Sequence, residues 1–225
     1  MAQPDGPCPF CDKVIAGRNR TAFDVPLADL GAFLLAPALG MFVPGYLLLV
    51  ARDHVPSFAH LGAEGLAAVE AWRRRRLPGL GERFGEYFAF EHGMGAPADG
   101  RTGACLDHAH LHLVPSAAGA KVIADALPWE EIPSYEALAD ARGVRYSYFG
   151  RGDRHLVVRD VDLPSQWVRR QTACALGLDT WDWAAYAGEL ELAVTLAKVE
   201  GHELGSAAPS SPTLHPTLKS THLVS

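Results

Sequence analysis

The chain has 225 residues, 48% of them apolar and 20% charged, with a formal net charge of -6, a length and balance that suit a folded unit with a substantial core. The acidic excess excludes a protein that holds DNA or RNA mainly through the phosphate backbone, which calls for a basic surface, while a small anionic ligand held locally stays compatible with it. No charged-then-apolar leader opens the chain, and the 4 cysteines fall as Cys8 and Cys11 in a C-x-x-C with Cys105 and Cys174 apart, so a disulfide framework is not expected and the expected compartment is the cytoplasm.

Taken in order, Cys8-Pro9-Phe10-Cys11 reads as a loop, Asp12 to Gly17 as a short mixed segment and Phe23-Asp24-Val25 as a short strand. From Leu30 to Ala51 there is no charged residue, a length that would suit a membrane span. Pro37, Gly40, Pro44 and Gly45 cut this run into Phe33 to Ala36 and Tyr46 to Val50, which predict a buried hairpin and no membrane association. A helix is predicted from Leu61 to Leu77, with Leu66, Val69 and Trp72 as its buried stripe and Pro78-Gly79 as its stop. On that reading Arg73 to Arg76 form a solvated last turn that complements the helix dipole, with an anion-binding patch as the functional alternative. Glu86 to Glu91 alternates as a strand and leads into the glycine-rich run from His92 to Gly103. Exposed amides in such a loop suit phosphate oxygens, although glycines there equally serve to turn the chain.

His108-Ala109-His110-Leu111-His112-Leu113-Val114 follows. Strict alternation predicts a strand with all three imidazoles on one face, roughly 7 Å apart. A row of imidazoles is a poor use of a core face, since buried polar groups need partners; three satisfied structural histidines are the bland alternative. Beyond Pro115, Leu127 to Ala141 reads as a loop and then a short helix starting at Trp129-Glu130-Glu131. Val144 to Phe149 and His155 to Val158 form a hairpin joined through Gly150-Arg151-Gly152-Asp153. Helices are predicted from Pro164-Ser165 to Leu176 and from Gly188 to Glu200. Residues 206–225 lack periodicity and are expected to be disordered.

Two constellations carry chemistry. A central imidazole flanked by two others suits nucleophilic attack on phosphorus by His110, with its neighbours orienting it and donating to phosphoryl oxygens. Cys8 and Cys11 with His54 and His108 would complete a tetrahedral structural zinc site. A thioredoxin-like redox pair is the competing reading of the C-x-x-C, disfavoured because no strand precedes it and no helix clearly starts at it.

Because His108 to Val114 fills His-φ-His-φ-His-φ-φ, with φ apolar, the chain resembles the histidine triad (HIT) superfamily. The upstream order agrees: a Cys-x-x-Cys, a strand pair joined through Pro44-Gly45, a helix introduced by Ala51-Arg52-Asp53-His54, and a glycine-containing hairpin, so that the resemblance spans Cys8 to about Pro115. It implies an α+β fold, a HIT-like antiparallel sheet with flanking helices, here with a C-terminal α/β extension, and a homodimer acting on a small-molecule nucleotide at its α-phosphate. Carried over by position, His110 matches the nucleophile, His112 the partner at the phosphate and leaving group, and His108 the first triad position, which in zinc-containing branches joins the two cysteines and the histidine matching His54. Uridylyltransferase-like and phosphorylase branches carry glutamine at the third position, so His112 favours a hydrolase.

Three positions depart from the family pattern: Leu34 where an acidic residue often holds the ribose, Tyr46 where histidine often follows the Pro-Gly turn, and Gly103-Ala104-Cys105 where a Gly-Gln-Ser-like run is frequent. Cys105 would then replace a phosphate-contacting hydroxyl, and Asp107 and His92 are near enough in sequence to compensate. The resemblance therefore implies a hydrolase cleaving a phosphoanhydride or phosphoramidate through a nucleotidyl-histidine. Substrate contacts are expected at Leu34, Gly103, Cys105 and Asp107, and a structural Zn(2+) at Cys8, Cys11, His54 and His108. The alternatives are a nucleotidyltransferase or phosphorylase of the same superfamily and a catalytically weak nucleotide-binding module. The expected organisation is a catalytic core over residues 1–116, an extension packed on it over 117–204, and a disordered tail over 205–225.

Overall fold

Apolar runs with no polar alternation make strands buried on both faces. In the computed structural model, which describes residues 8–95, 107–200 and Leu204, every residue of Phe33–Pro37 (β2) and Leu47–Ala51 (β3) is buried. These two strands pair antiparallel, with Leu35 opposite Leu49, and the short β1 (Ala28–Asp29) flanks them. The remaining strands are β4 (Tyr87–Gly93), β5 (His110–Pro115), β6 (Glu130–Ile132), β7 (Tyr146–Arg151) and β8 (Arg154–Arg159). All eight form one antiparallel sheet in the order β1-β2-β3-β5-β4-β7-β8-β6. Together with four flanking helices, α1 (Gly62–Phe84), α2 (Ala117–Ala126), α3 (Trp167–Ala175) and α4 (Glu189–Val199), this is the α+β architecture expected. β6, β7 and β8, contributed from beyond residue 117, extend the sheet outward from β4. The expected tail, 205–225, lies outside the described residues.

Each face of the sheet has its own core. On one, Leu35, Leu49, Leu111 and Leu113 meet Leu66, Val69, Trp72 and Leu80 of α1. On the other, Leu48, Val50, Phe88, Phe90 and Val114 meet Phe10 and Val14, α2 through Ile123 and α3 through Val168 and Ala173. Among the described residues no helix is long and apolar enough to cross a membrane.

Several elements differ from expectation. α1 does not stop at Pro78 but continues to Phe84 and ends at Gly85, whose φ is 99°. Pro78 removes one N–H from the ladder, while Leu80 beyond it is fully buried, so packing outweighs the break. The arginine run is consequently mid-helix, and Arg73 is 4% exposed and paired with Glu70 at 2.6 Å, not solvated. The Phe23 segment is a short 3₁₀ turn, Ala22–Asp24, closed by reciprocal Thr21 and Asp24 hydrogen bonds. Glu130–Ile132 is a strand, not a helix start. The unexpected α2 begins at Ser116, whose hydroxyl caps the Gly119 N–H at 2.9 Å. The C-x-x-C lies not in a plain loop but at the start of a wide helical turn, Phe10–Ile15.

Candidate active site and metal centre

β5 lies between β3 and β4, with Val50 opposite His110 and both Leu48 and Phe90 flanking His112. Alternation along β5 sends Leu111 and Leu113 into the α1 core and both histidines to the other face. That face is largely covered, and the imidazoles occupy the gap that its coverings leave. This gap is a cleft of about 250 Å³ bounded by Phe10 of the N-terminal turn, Ala36 to Leu39 at the end of β2 and just beyond it, and Gln166, Arg169 and Trp183 from the C-terminal segment.

His110 Nδ1 is 2.6 Å from the His108 carbonyl oxygen. A carbonyl only accepts, so Nδ1 carries the proton and Nε2 keeps its lone pair. Removal from water pushes the His110 pKa down to about 4, against the carbonyl bond that raises it, and the ring packs on Phe10 at 4.9 Å between centroids. His112 stacks flat on Phe90, 4.2 Å away at 2°, and its Nδ1 is 2.8 Å from the Tyr46 hydroxyl. Burial, and then the like charges of His110, Arg169 and His92, hold its pKa well below the usual range.

A third imidazole, His92 of β4, also lines the cleft. Its Nδ1 is 3.0 Å from Ser147 Oγ, and its buried Nε2 has no partner among the described residues. Burial lowers its pKa to about 4. At neutral pH the cleft therefore presents three uncharged imidazoles, one with its lone pair on Nε2 and one with an unsatisfied ring nitrogen.

The turn Pro44-Gly45 positions Tyr46. Gly45 has φ 84°, and a Cβ on it would meet Phe84 at 2.5 Å; the left-handed backbone and the close approach both require glycine. Its N–H donates to Thr195 Oγ1 at 2.7 Å and its carbonyl accepts from the Tyr87 hydroxyl at 2.8 Å.

Beside the cleft, Cys8, Cys11, His54 and His108 come together with all their ligand atoms within 4.8 Å of one another. The two Nδ1 atoms are 3.2 Å apart, and sulfur lies 3.4 to 3.5 Å from nitrogen in three pairs. A tetrahedron with Zn–N near 2.05 Å and Zn–S near 2.3 Å has edges of about 3.3 Å and about 3.6 Å, so the residues fit such an ion. His108 Nε2 lies 2.7 Å from the Ala51 carbonyl, which selects the tautomer that leaves Nδ1 as ligand. Burial and the neighbouring Cys8 push the Cys11 thiol up to about 11; a bound cation is the ordinary means of ionising such a pair. A helical turn does start at the C-x-x-C, contrary to the reading used against a redox pair, but two imidazoles at ligand distance distinguish this site from a dithiol alone.

Of the other expected contacts, Leu34 is 4% exposed within the core on the histidine face, and the chain meets the cleft at Ala36 and Pro37 instead. Asp107 sits near Cys11 and His108, where its charge acts on both. Gly103 and Cys105 lie outside the described residues. Sequence reasoning assigned no site role to Phe10, Tyr46 or Arg169 and only noted His92. Tyr46 and His92 had a signal, the first as a departure beside the Pro-Gly turn and the second as a histidine one strand away. Arg169 had none.

No protein-family model matches the chain, and no curated protein sequence matches it. Among solved structures it is similar to the yeast Ap4A phosphorylase Apa2, at 13% identity over 85% of this chain and 81% of that one with a TM-score of 0.45. It is also similar to the same yeast protein in complex with AMP, at 13% identity over 75% and 72% with a TM-score of 0.37.

Proposed function

We propose that this chain is a HIT-type, zinc-containing nucleotide hydrolase that cleaves a phosphoanhydride or phosphoramidate at the α-phosphate through a nucleotidyl-His110 intermediate. The observation that carries this reading is the 2.6 Å contact from His110 Nδ1 to the His108 carbonyl inside a cleft. It leaves a neutral imidazole with its Nε2 lone pair available, the state a nucleophilic histidine needs.

In the first step Nε2 attacks the α-phosphorus, the P–N bond forms, and the bond to the leaving group breaks with its electron pair. The positive charge that develops on the ring is met by the His108 carbonyl. With the Tyr46 hydroxyl as donor to His112 Nδ1, the assignment this reading makes for their 2.8 Å contact, the His112 proton sits on Nε2, where it donates to a phosphoryl oxygen. His92 Nε2 supplies a second contact of this kind. Water then attacks the same phosphorus, the P–Nε2 bond breaks, and a nucleoside monophosphate and a proton leave with His110 restored. Cys8, Cys11, His54 and His108 would hold the zinc, whose contribution is structural, anchoring the N-terminal turn to the start of β5. The cytoplasm suits this reading, because both thiols must stay reduced.

The test is turnover of adenosine and guanosine phosphoramidates and dinucleoside polyphosphates, with mass-spectrometric trapping of the adduct. His110→Asn is expected to lower kcat/KM at least about a thousandfold and to abolish the adduct. Activity that survives this substitution overturns the nucleophile. Formation of nucleoside diphosphate only when inorganic phosphate is supplied would replace hydrolysis by phosphorolysis.

A further inference from the structure

Arg169 of α3 lines the same cleft as His110 and His112 and is 4% exposed. Its Nε donates to the Trp181 carbonyl at 3.0 Å and its Nη2 to the Gly40 carbonyl. The guanidinium lies over the Tyr46 and Phe42 rings at 5.1 and 5.4 Å. Gly40 has φ 70°, and a Cβ there would meet Trp183 Cα at 2.4 Å and Arg169 Nη2 at 2.9 Å, so three segments close around this side chain. Two of its five N–H groups are used in this way, and among the described residues no carboxylate lies within ion-pair distance of it, the charge of Asp182 acting on it from farther off.

A clamp between two loops requires donors but not a charge. Arginine cannot release its proton, and an unpaired buried charge is costly. Its place in the first turn of α3 sets that charge against the positive end of the helix dipole. Both features favour an anion arriving in the cleft.

The order of groups along the β5 face says which anion. The metal cluster at His108 comes first, then His110, then His112, and then Tyr46, which precedes the Leu47 paired with Leu113. Tyr46 contacts His112 through its hydroxyl and carries the guanidinium over its ring. Arg169 therefore stands on the side of His112 remote from His110. With the α-phosphorus at His110 Nε2, His112 reaches its oxygens and Arg169 reaches the next group along.

We propose that Arg169 binds the phosphate adjacent to the scissile α-phosphate, and that the preferred substrate is consequently a phosphoanhydride, whose leaving group is anionic, over a phosphoramidate, whose leaving group is an amine. This rests on the hydrolase reading of His110.

The experiment compares kcat/KM for a dinucleoside triphosphate and a nucleoside phosphoramidate in the wild-type chain, Arg169→Gln and Arg169→Lys. The anhydride-to-phosphoramidate ratio is expected to fall about 30-fold or more in Arg169→Gln and to recover in part in Arg169→Lys. A ratio that does not change overturns the proposal, since a purely structural clamp would depress both substrates together. A second arm needs no turnover: pyrophosphate is titrated into the full chain carrying His110→Asn, with and without Arg169→Gln. At least tenfold weaker binding with Arg169→Gln is expected, and equal affinity overturns the proposal. Should Arg169→Gln fail to fold, the Arg169 Nε–H resonance of the His110→Asn chain is expected to shift on pyrophosphate binding, and a resonance that stays put while pyrophosphate binds overturns it. If the wild-type chain turns over neither substrate, the hydrolase reading falls, while the pyrophosphate arm still decides the anion site.

Discussion

Tyr46 places a hydroxyl beside one of the cleft imidazoles. It follows the Pro44-Gly45 turn, and its hydroxyl, 2.8 Å from His112 Nδ1, fixes which nitrogen of that ring faces the cleft. Tyr46→Phe keeps the ring and removes this bond. One hydrogen bond of about 1 kcal/mol used to orient a donor corresponds to a fall in kcat of about 3- to 10-fold, with KM little changed; steady-state kinetics on the best substrate measure it. A kcat within about twofold of wild type would show that His112 does not depend on the hydroxyl for its orientation.

At the scale of elements, the Cys/His cluster joins three separate pieces of chain: the Phe10–Ile15 turn that carries Cys11, the segment after β3 that carries His54, and the approach to β5 at His108. Phe10 of that turn packs on both His108 and His110, so the ligand cluster and the proposed nucleophile share a wall. The chain is expected to hold one equivalent of zinc by elemental analysis. Chelation, or Cys11→Ser, is expected to lower Tm by at least about 5 °C, given that 1 kcal/mol moves a chain of this size by about 2–4 °C. A chain purified without chelator that carries far less than one equivalent, with a Tm indifferent to chelation, would remove zinc from the account.

For the molecule as a whole, the sheet separates two kinds of buried polar chemistry. Opposite the cleft, Glu91 of β4 is 2% exposed, accepting from the Tyr146 hydroxyl at 2.5 Å and the Phe58 N–H at 2.8 Å. Burial raises its pKa from the ordinary 4.5 to about 8, although both hydrogen bonds act the other way. Between those values the folded chain holds a proton that the unfolded chain has released, so stability falls as pH rises through that window. The cleft histidines act in the opposite sense, since folded pKa values near 4 for His92 and His110 cost stability as pH drops below about 6.5. The two effects separate above pH 6.5. From about pH 6.5 to 8, wild-type unfolding free energy is expected to fall by about 1–2 kcal/mol relative to Glu91→Gln; denaturant titrations at three pH values measure the difference, and parallel profiles would refute it.

Local pattern was enough for much of this. The apolar runs around Pro44-Gly45 specified β2 and β3, the alternation after His108 specified the face that His110 and His112 share, and two short motifs with His54 specified a set of ligands that the fold does assemble. Periodicity tells a residue which side of its own strand or helix to take, because that depends on the backbone a few residues either way. It is silent on what covers that side. Whether Pro78 ends α1 was decided by the burial of Leu80, whether Arg73 is solvated by Glu70 on the same face of a helix that did not stop, and what closes the cleft by Gln166, Arg169 and Trp183 from a segment distant in sequence. Tyr46 just before β3, His92 of β4 and Arg169 of α3 are brought to the cleft by tertiary packing, and no spacing rule links them to His110. The histidine strand by itself pointed to the kind of chemistry proposed here; the tertiary structure decided the surroundings of its imidazoles, since the neutral state of His110 and the buried charge of Arg169 in the same cleft both arise from packing by remote parts of the chain.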